Sequence, residues 1–167
     1  MSKIALVRFG LAATPAVLLG DARRDRTVYD NLRLLGDEVP VFVDHDKDCE
    51  IGVVRDVFRM DDTPLSASWW TARVEIDDPP EWLARNTPAS VCFAALHRGT
   101  PVNGWEDIIR RGIVKEVSIL SPGVRPDEDC ARVVLLREAA AEPVDRVFCG
   151  GDGMIRRPGI GQVLGIR

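Results

Sequence analysis

The sequence predicts a mainly β domain of the α+β class: a closed or nearly closed, mostly antiparallel barrel of about six to seven strands with short peripheral helices. Three observations lead there. Apolar, β-branched runs follow one another along the chain and do not alternate with long helices, as a doubly wound sheet would require. The run from Trp70 to Ile76 alternates, with Trp70, Ala72, Val74 and Ile76 against Thr71, Arg73 and Glu75, the period of a half-buried strand. Segments with helical spacing are few and short.

In chain order, Lys3 to Phe9 carries Ile4, Ala5, Leu6 and Val7 and reads as the first strand. The opening Met1 to Gly20 has the basic residues and apolar stretch of an export signal. Arg8 and Gly10 interrupt that stretch, so it is read as strand and loop. Asp25 to Leu35 has Val28, Leu32 and Leu35 at helical spacing, with Asp25 as cap and Gly36 as stop, which predicts a helix. Val39 to Val43 is a β-branched strand ending at Asp44-His45-Asp46, and a turn through Lys47 and Asp48 leads into a strand from Ile51 to Val54. Val57 and Phe58 extend it past a bend or bulge. Asp61-Asp62-Thr63-Pro64 is a turn, and Leu65 to Ile76 the next strand. Pro79 and Pro80 end it, and Pro80 suits the first turn of a short helix, Glu81 to Arg85, with Trp82 and Leu83 inward. Ala89 to Leu96 is a strand, Glu106 to Arg111 a short helix, and Ile113 to Leu120 and Ala131 to Leu136 are strands. Residues 1–138 form the barrel. Residues 139–167, rich in Gly and Arg, form an extended arm with a short strand from Gln162 to Ile166. Trp69 and Trp70 face opposite sides of their strand, one in the core and the other lining a groove or meeting a partner.

Composition excludes several classes. The chain has 167 residues with a formal net charge of -4, so it lacks the basic surface of a general nucleic-acid coat. No apolar run reaches the roughly 18 residues of a membrane span. Cys49, Cys92, Cys130 and Cys149 form no CxxC pair, and only two histidines are present. No structural zinc site is expected, the thiols are read as free, and no cofactor is called for. Gly159, Gly161 and Gly165 lack dinucleotide-binding spacing.

Three residues stand out for chemistry. His45 ends an apolar strand, where a fixed backbone presents a reachable side chain suited to a general base. Ser90 opens the apolar run Val91 to Leu96, and a serine hydroxyl attacks well only when a base takes its proton. His45 and His97 are the available imidazoles, and His97 is read as a rim residue. Glu116 lies on the strand Ile113 to Leu120, where a carboxylate can orient a histidine. Each residue also has a plain structural reading: a turn, a strand start and a solvent-facing position in phase with Ser118.

Taken in order, Asp44-His45-Asp46 with Ile51-Gly52-Val53-Val54, then Ala89-Ser90-Val91-Cys92-Phe93, then Val114 to Pro122 resembles the prohead (capsid maturation) serine protease family of tailed phages. That family has a His-Asp pair before an Ile-Gly-x-Val strand, a serine in a Ser-x-Gly-Phe-like element, and a Glu-Val-Ser-Leu-Val strand before a proline-containing turn. The spacings, 45 positions from His45 to Ser90 and 26 from Ser90 to Glu116, are compatible with it, and the resemblance spans about Val39 to Pro126. It implies a barrel related to the herpesvirus assembly proteases and an endopeptidase that trims scaffold or capsid-protein extensions in the immature capsid, within the host cytoplasm. His45 would be base, Ser90 nucleophile and Glu116 third member. Major capsid protein or scaffold would be substrate or neighbour, the chain itself homo-oligomeric or capsid-associated, with no specific nucleic acid and no membrane.

The sequence also departs from the family. Cys92 stands where the family has glycine, the Pro-Gly-Ala-Phe-like lead-in is missing, and no long charged scaffold-like region follows. These departures imply an alternative: a protease fold without catalysis, serving as a structural component of the virion or capsid and held by its arm, since such arms add strands to a neighbour's sheet. A β-barrel binding module unrelated to either is the third reading.

Overall fold

The computed structural model describes residues 1–20, 27–62, 67–105, 107–126 and 131–139. They are mainly β, with one nine-stranded sheet and one short helix. The strands are β1 (Lys3–Ala12), β2 (Val28–Tyr29), β3 (Leu32–Leu34), β4 (Val39–Val43), β5 (Asp46–Asp62), β6 (Ala67–Ile76), β7 (Ala89–Arg98), β8 (Ile108–Ile119) and β9 (Arg132–Glu138), and the helix is α1 (Pro15–Gly20). Pairing returns on itself through six strands, in the order β2, β1, β6, β5, β4, β8 and back to β2. Of these six contacts, β1–β6, β6–β5 and β5–β4 are antiparallel, and β4–β8, β8–β2 and β2–β1 are parallel. The longest ladders are the antiparallel ones. β7 is added to β8 and β9 to β1, both antiparallel.

The alternation read between Trp70 and Ile76 sets the inside of this ring. Trp70, Ala72, Val74 and Ile76 are buried in one cluster with Val41, Val54, Val117 and Ile119. The expected bulge after Ile51 to Val54 is present, with register shifting between Val54 and Asp56. Trp69 is also buried: it packs in a second cluster with Leu11, Val17, Val28, Trp105 and Ile108, so it lines no groove. Val17 comes from α1, which starts where Thr14 Oγ1 accepts the Val17 amide at 3.3 Å, with Pro15 at the first helical position.

Three expected helices are replaced. Val28, Leu32 and Leu35 do not share a helix face: Val28 and Leu32 are buried in β2 and β3, and Leu35 is 61% exposed. The backbone here bonds to β8 instead, through Asp30 N to Ile109 O at 2.8 Å, Gly112 N to Asn31 O at 2.9 Å and Leu35 N to Val114 O at 3.0 Å. Residues 25 and 26 of that expected helix lie outside the described residues. Of Glu106 to Arg111, Ile108 to Arg111 belong to β8, where β-branched Ile108 and Ile109 are fully buried. Glu81 to Arg85 is a pair of tight turns, with Leu83 N on Pro80 O at 3.0 Å and Thr87 N on Ala84 O at 3.2 Å. Leu83 still packs into the core, as its sequence position suggested, with Trp82 against it. The arm, apart from Ala139, and the strand at Gln162 to Ile166 lie outside the described residues, as do Cys130 and Cys149.

Gly52 fixes how closely β5 and β6 approach. A Cβ there would lie 2.0 Å from Glu75 O and 2.9 Å from Ile76 Cα, both backbone atoms that cannot turn aside. Gly52→Ala is expected to destabilise the fold by about 3 kcal/mol, read as a lower midpoint in urea unfolding at unchanged slope.

Candidate active site

His45 is placed by a hairpin tighter than the sequence suggested. The chain reverses at Asp44-His45 and not at Lys47-Asp48, since Val43 already pairs with Asp46. Both turn residues have positive φ, 52° for Asp44 and 61° for His45, as in the two-residue hairpin that best fits strand twist. Glycine is the residue such a turn favours second, so an imidazole there carries backbone strain of about 1–2 kcal/mol. The strain is held from the end of β8. Asp44 Oδ1 accepts the Ser121 amide at 2.7 Å, Asp44 Oδ2 accepts the Ser121 hydroxyl at 2.6 Å, and the Asp44 amide donates to Ile119 O at 3.1 Å. His45→Gly is therefore expected to be about 1 kcal/mol more stable than His45→Ala, a comparison in which both variants lack the ring and differential scanning calorimetry reads the difference.

β8 supplies the floor. It lies between β4 on one side and β7 on the other. Its Val114, Val117 and Ile119 enter the core, while Glu116 and Ser118 point to the opposite face. The phase depends on a slip in register: Phe93 pairs with Val114 but Cys92 with Glu116, so Lys115 is the extra residue of a bulge and both Lys115 and Glu116 turn outward. The His45 amide donates to Ser118 Oγ at 3.2 Å, and the Ser118 hydroxyl lies a long 3.5 Å from Glu116 Oε1. His45 Nδ1 meets Glu116 Oε1 at 2.6 Å. An ionised carboxylate can only accept, so Nδ1 carries the proton, and in the neutral ring Nε2 keeps its lone pair. The imidazole side chain is 41% exposed and the carboxylate side chain 16%.

Ser90 sits directly across from Ser118 in the β7–β8 ladder and is only 4% exposed. It forms, with His45, Val91, Cys92, Phe93 and Glu116, the lining of one open depression of about 430 Å³. His45, Ser90 and Glu116 thus come from three strands or their ends and meet at one place. Comparisons with protein families, with curated proteins and with solved structures find no match to this chain. The site combines a histidine whose Nδ1 contacts a carboxylate with a serine in the same hollow.

Sequence reasoning passed over Ser118, which joins the His45 backbone to the Glu116 side chain. Its signal was the two-residue spacing from Glu116, which was read only as a solvent-facing phase. The Asp44–Ser121 clamp was also missed, because nothing local links positions 77 residues apart. Cys92 is exposed and unpaired and stands at the rim of the hollow, so its side chain borders the approach to Ser90 and does not press into the core. His97 is seven residues along β7 from Ser90, about 23 Å for an extended strand, and is not part of this lining. Among the described residues no group of three or more His, Cys, Asp or Glu side chains is placed to hold a metal ion.

Proposed function

We propose that this chain is a serine endopeptidase of the capsid-maturation kind, acting on a scaffold or capsid-protein extension inside the prohead, with its ring of strands forming a protease-type barrel. The observation that carries the hydrolase reading is the 2.6 Å His45–Glu116 contact beside Ser90 in a shared depression. The ordered resemblance in sequence carries the capsid setting.

In this mechanism Ser90 Oγ attacks the substrate carbonyl and its proton passes to His45 Nε2. The imidazolium so formed keeps its Nδ1 proton on Glu116, which offsets the new charge. His45 then gives its Nε2 proton to the leaving amine, and the C–N bond breaks to leave an acyl group on Ser90. Water, deprotonated by Nε2, attacks that ester and restores the serine. The depression is open, as a site for an extended polypeptide must be, and its wall at Val91 and Phe93 supplies apolar contact.

Fluorophosphonate labelling tests this reading. The reagent bonds to a serine oxygen only where a neighbouring base activates it, so the peptide bearing Ser90 is expected to gain the adduct mass, and the His45→Ala variant is expected not to. A native protein that takes up no label at Ser90 supports the second reading, a structural protein of the virion or capsid that has kept this fold without hydrolysis. Cys92 at the rim, in place of the family's glycine, is the feature that favours it.

A further inference from the structure

A second cavity lies on the same β7–β8 ribbon, away from Ser90. It has a volume of about 240 Å³ and is lined by Asn31, Arg33, Leu96, Arg111 and Gly112. That is below the range of roughly 300–1,000 Å³ typical of small-molecule and cofactor sites, and suits a single side chain. Its charge is one-sided. Neighbouring arginines are paired: Arg110 and Arg59 with Asp30, and Arg98 with Asp107. Arg33 and Arg111 are exposed and have no carboxylate partner among the described residues, and no acidic residue lines the cavity. Leu96, 51% exposed, adds an apolar wall. Gly112 closes the floor, where a Cβ would strike Leu32 Cδ2 at 2.7 Å.

We propose that Arg33 and Arg111, with Asn31 and Leu96, form a subsite for an acidic side chain of the polypeptide substrate. Two guanidinium groups with an amide beside them give the paired donors a carboxylate takes up best. The apolar wall and the overall negative charge of the chain favour a peptide over a nucleic-acid phosphate. The register sets the distance. Ser90 pairs with Ser118, while His97 pairs with Arg111, so Ser90 and Arg111 stand seven residues apart along the ribbon, at most about 23 Å with the bulges between them. An extended substrate lying along the ribbon places its acidic residue about seven positions from the bond cleaved. This rests on the hydrolase reading of Ser90.

The test uses the full chain and two fluorescein-labelled peptides of fourteen residues, identical in Ala, Leu and Ser except for a central Glu-Glu or Gln-Gln pair. By fluorescence anisotropy the Glu peptide is expected to bind about ten-fold more tightly, and Arg33→Gln with Arg111→Gln to reduce that preference to less than about two-fold. Arg33→Lys with Arg111→Lys keeps the charge without the planar fork and is expected to retain a weakened preference, which separates loss of recognition from loss of fold. Equal affinities in the native protein, or a preference that survives the Gln pair, overturn the proposal. So does tighter binding of a dT14 oligonucleotide through the same arginines. Fluorophosphonate labelling keeps the two readings apart. A Ser90 adduct without Glu preference overturns the subsite alone. Glu preference without an adduct overturns its role in substrate binding together with the hydrolase reading.

Discussion

Ser90→Ala is expected to lower hydrolysis of a co-expressed scaffold or capsid protein by about 10⁶-fold while unfolding within about 1 kcal/mol of the native chain. The two halves of this expectation have separate causes. Ser90 is the proposed nucleophile beside His45, and its loss leaves the base with nothing to activate. The stability term is small because alanine fits the same buried strand position, at 4% exposure, and the change removes a single oxygen atom. Processing followed by gel, with urea unfolding on the same preparation, reads both. Undiminished processing in a folded variant removes Ser90 from the reaction.

Glu116→Gln is expected to have the next largest effect, about 10³- to 10⁴-fold on kcat with little change in KM. The carboxylate oxygen at 2.6 Å from His45 Nδ1 fixes the tautomer that leaves Nε2 free, and its charge offsets the imidazolium. A glutamine has no charge, and its amide can present an N–H to Nδ1, which turns the ring's remaining proton to Nε2 and blocks it as a base. Glutamine has the same shape as glutamate, so the lining of the depression is kept and KM is expected to stay. Stability should move by less than about 1 kcal/mol, because His45 is well exposed and such pairs are screened by solvent. Steady-state kinetics on a fluorogenic peptide check it, and a KM effect with unchanged kcat would falsify the positioning role.

Much of the strand content was legible because it depends on neighbours in sequence. Trp70 to Ile76 alternates in the chain and in the fold, and Val39 to Val43, Ala89 to Leu96 and Ala131 to Leu136 lie in or overlap β4, β7 and β9. The helices expected at Asp25 to Leu35 and Glu106 to Arg111 failed for one reason: their described residues pair with strands remote in sequence, β2 and β3 with β8, and Ile108 to Arg111, the start of β8, with β2 and β7. Val28 and Leu32 have spacing that fits a helix equally well, and only the packing of β2 and β3 against β8 chose between them. Ile108-Ile109 was the one local warning, since adjacent β-branched residues favour a strand.

The site divides in the same way. Residue order places an imidazole at a strand end, a serine at the opening of an apolar run, and a carboxylate on a strand in phase with Ser118. Folding in three dimensions brings His45 and Glu116 into contact across 71 positions, puts Ser90 in their hollow, and lets Asp44 grip Ser121 to hold the turn. The physical reason is that side-chain alternation is a property of each strand alone, whereas contact between strands depends on pairing order, register and bulges. Here the parallel pairing of β4 with β8 and the slip at Lys115 set the meeting place, and neither leaves a mark on the residues nearby in sequence.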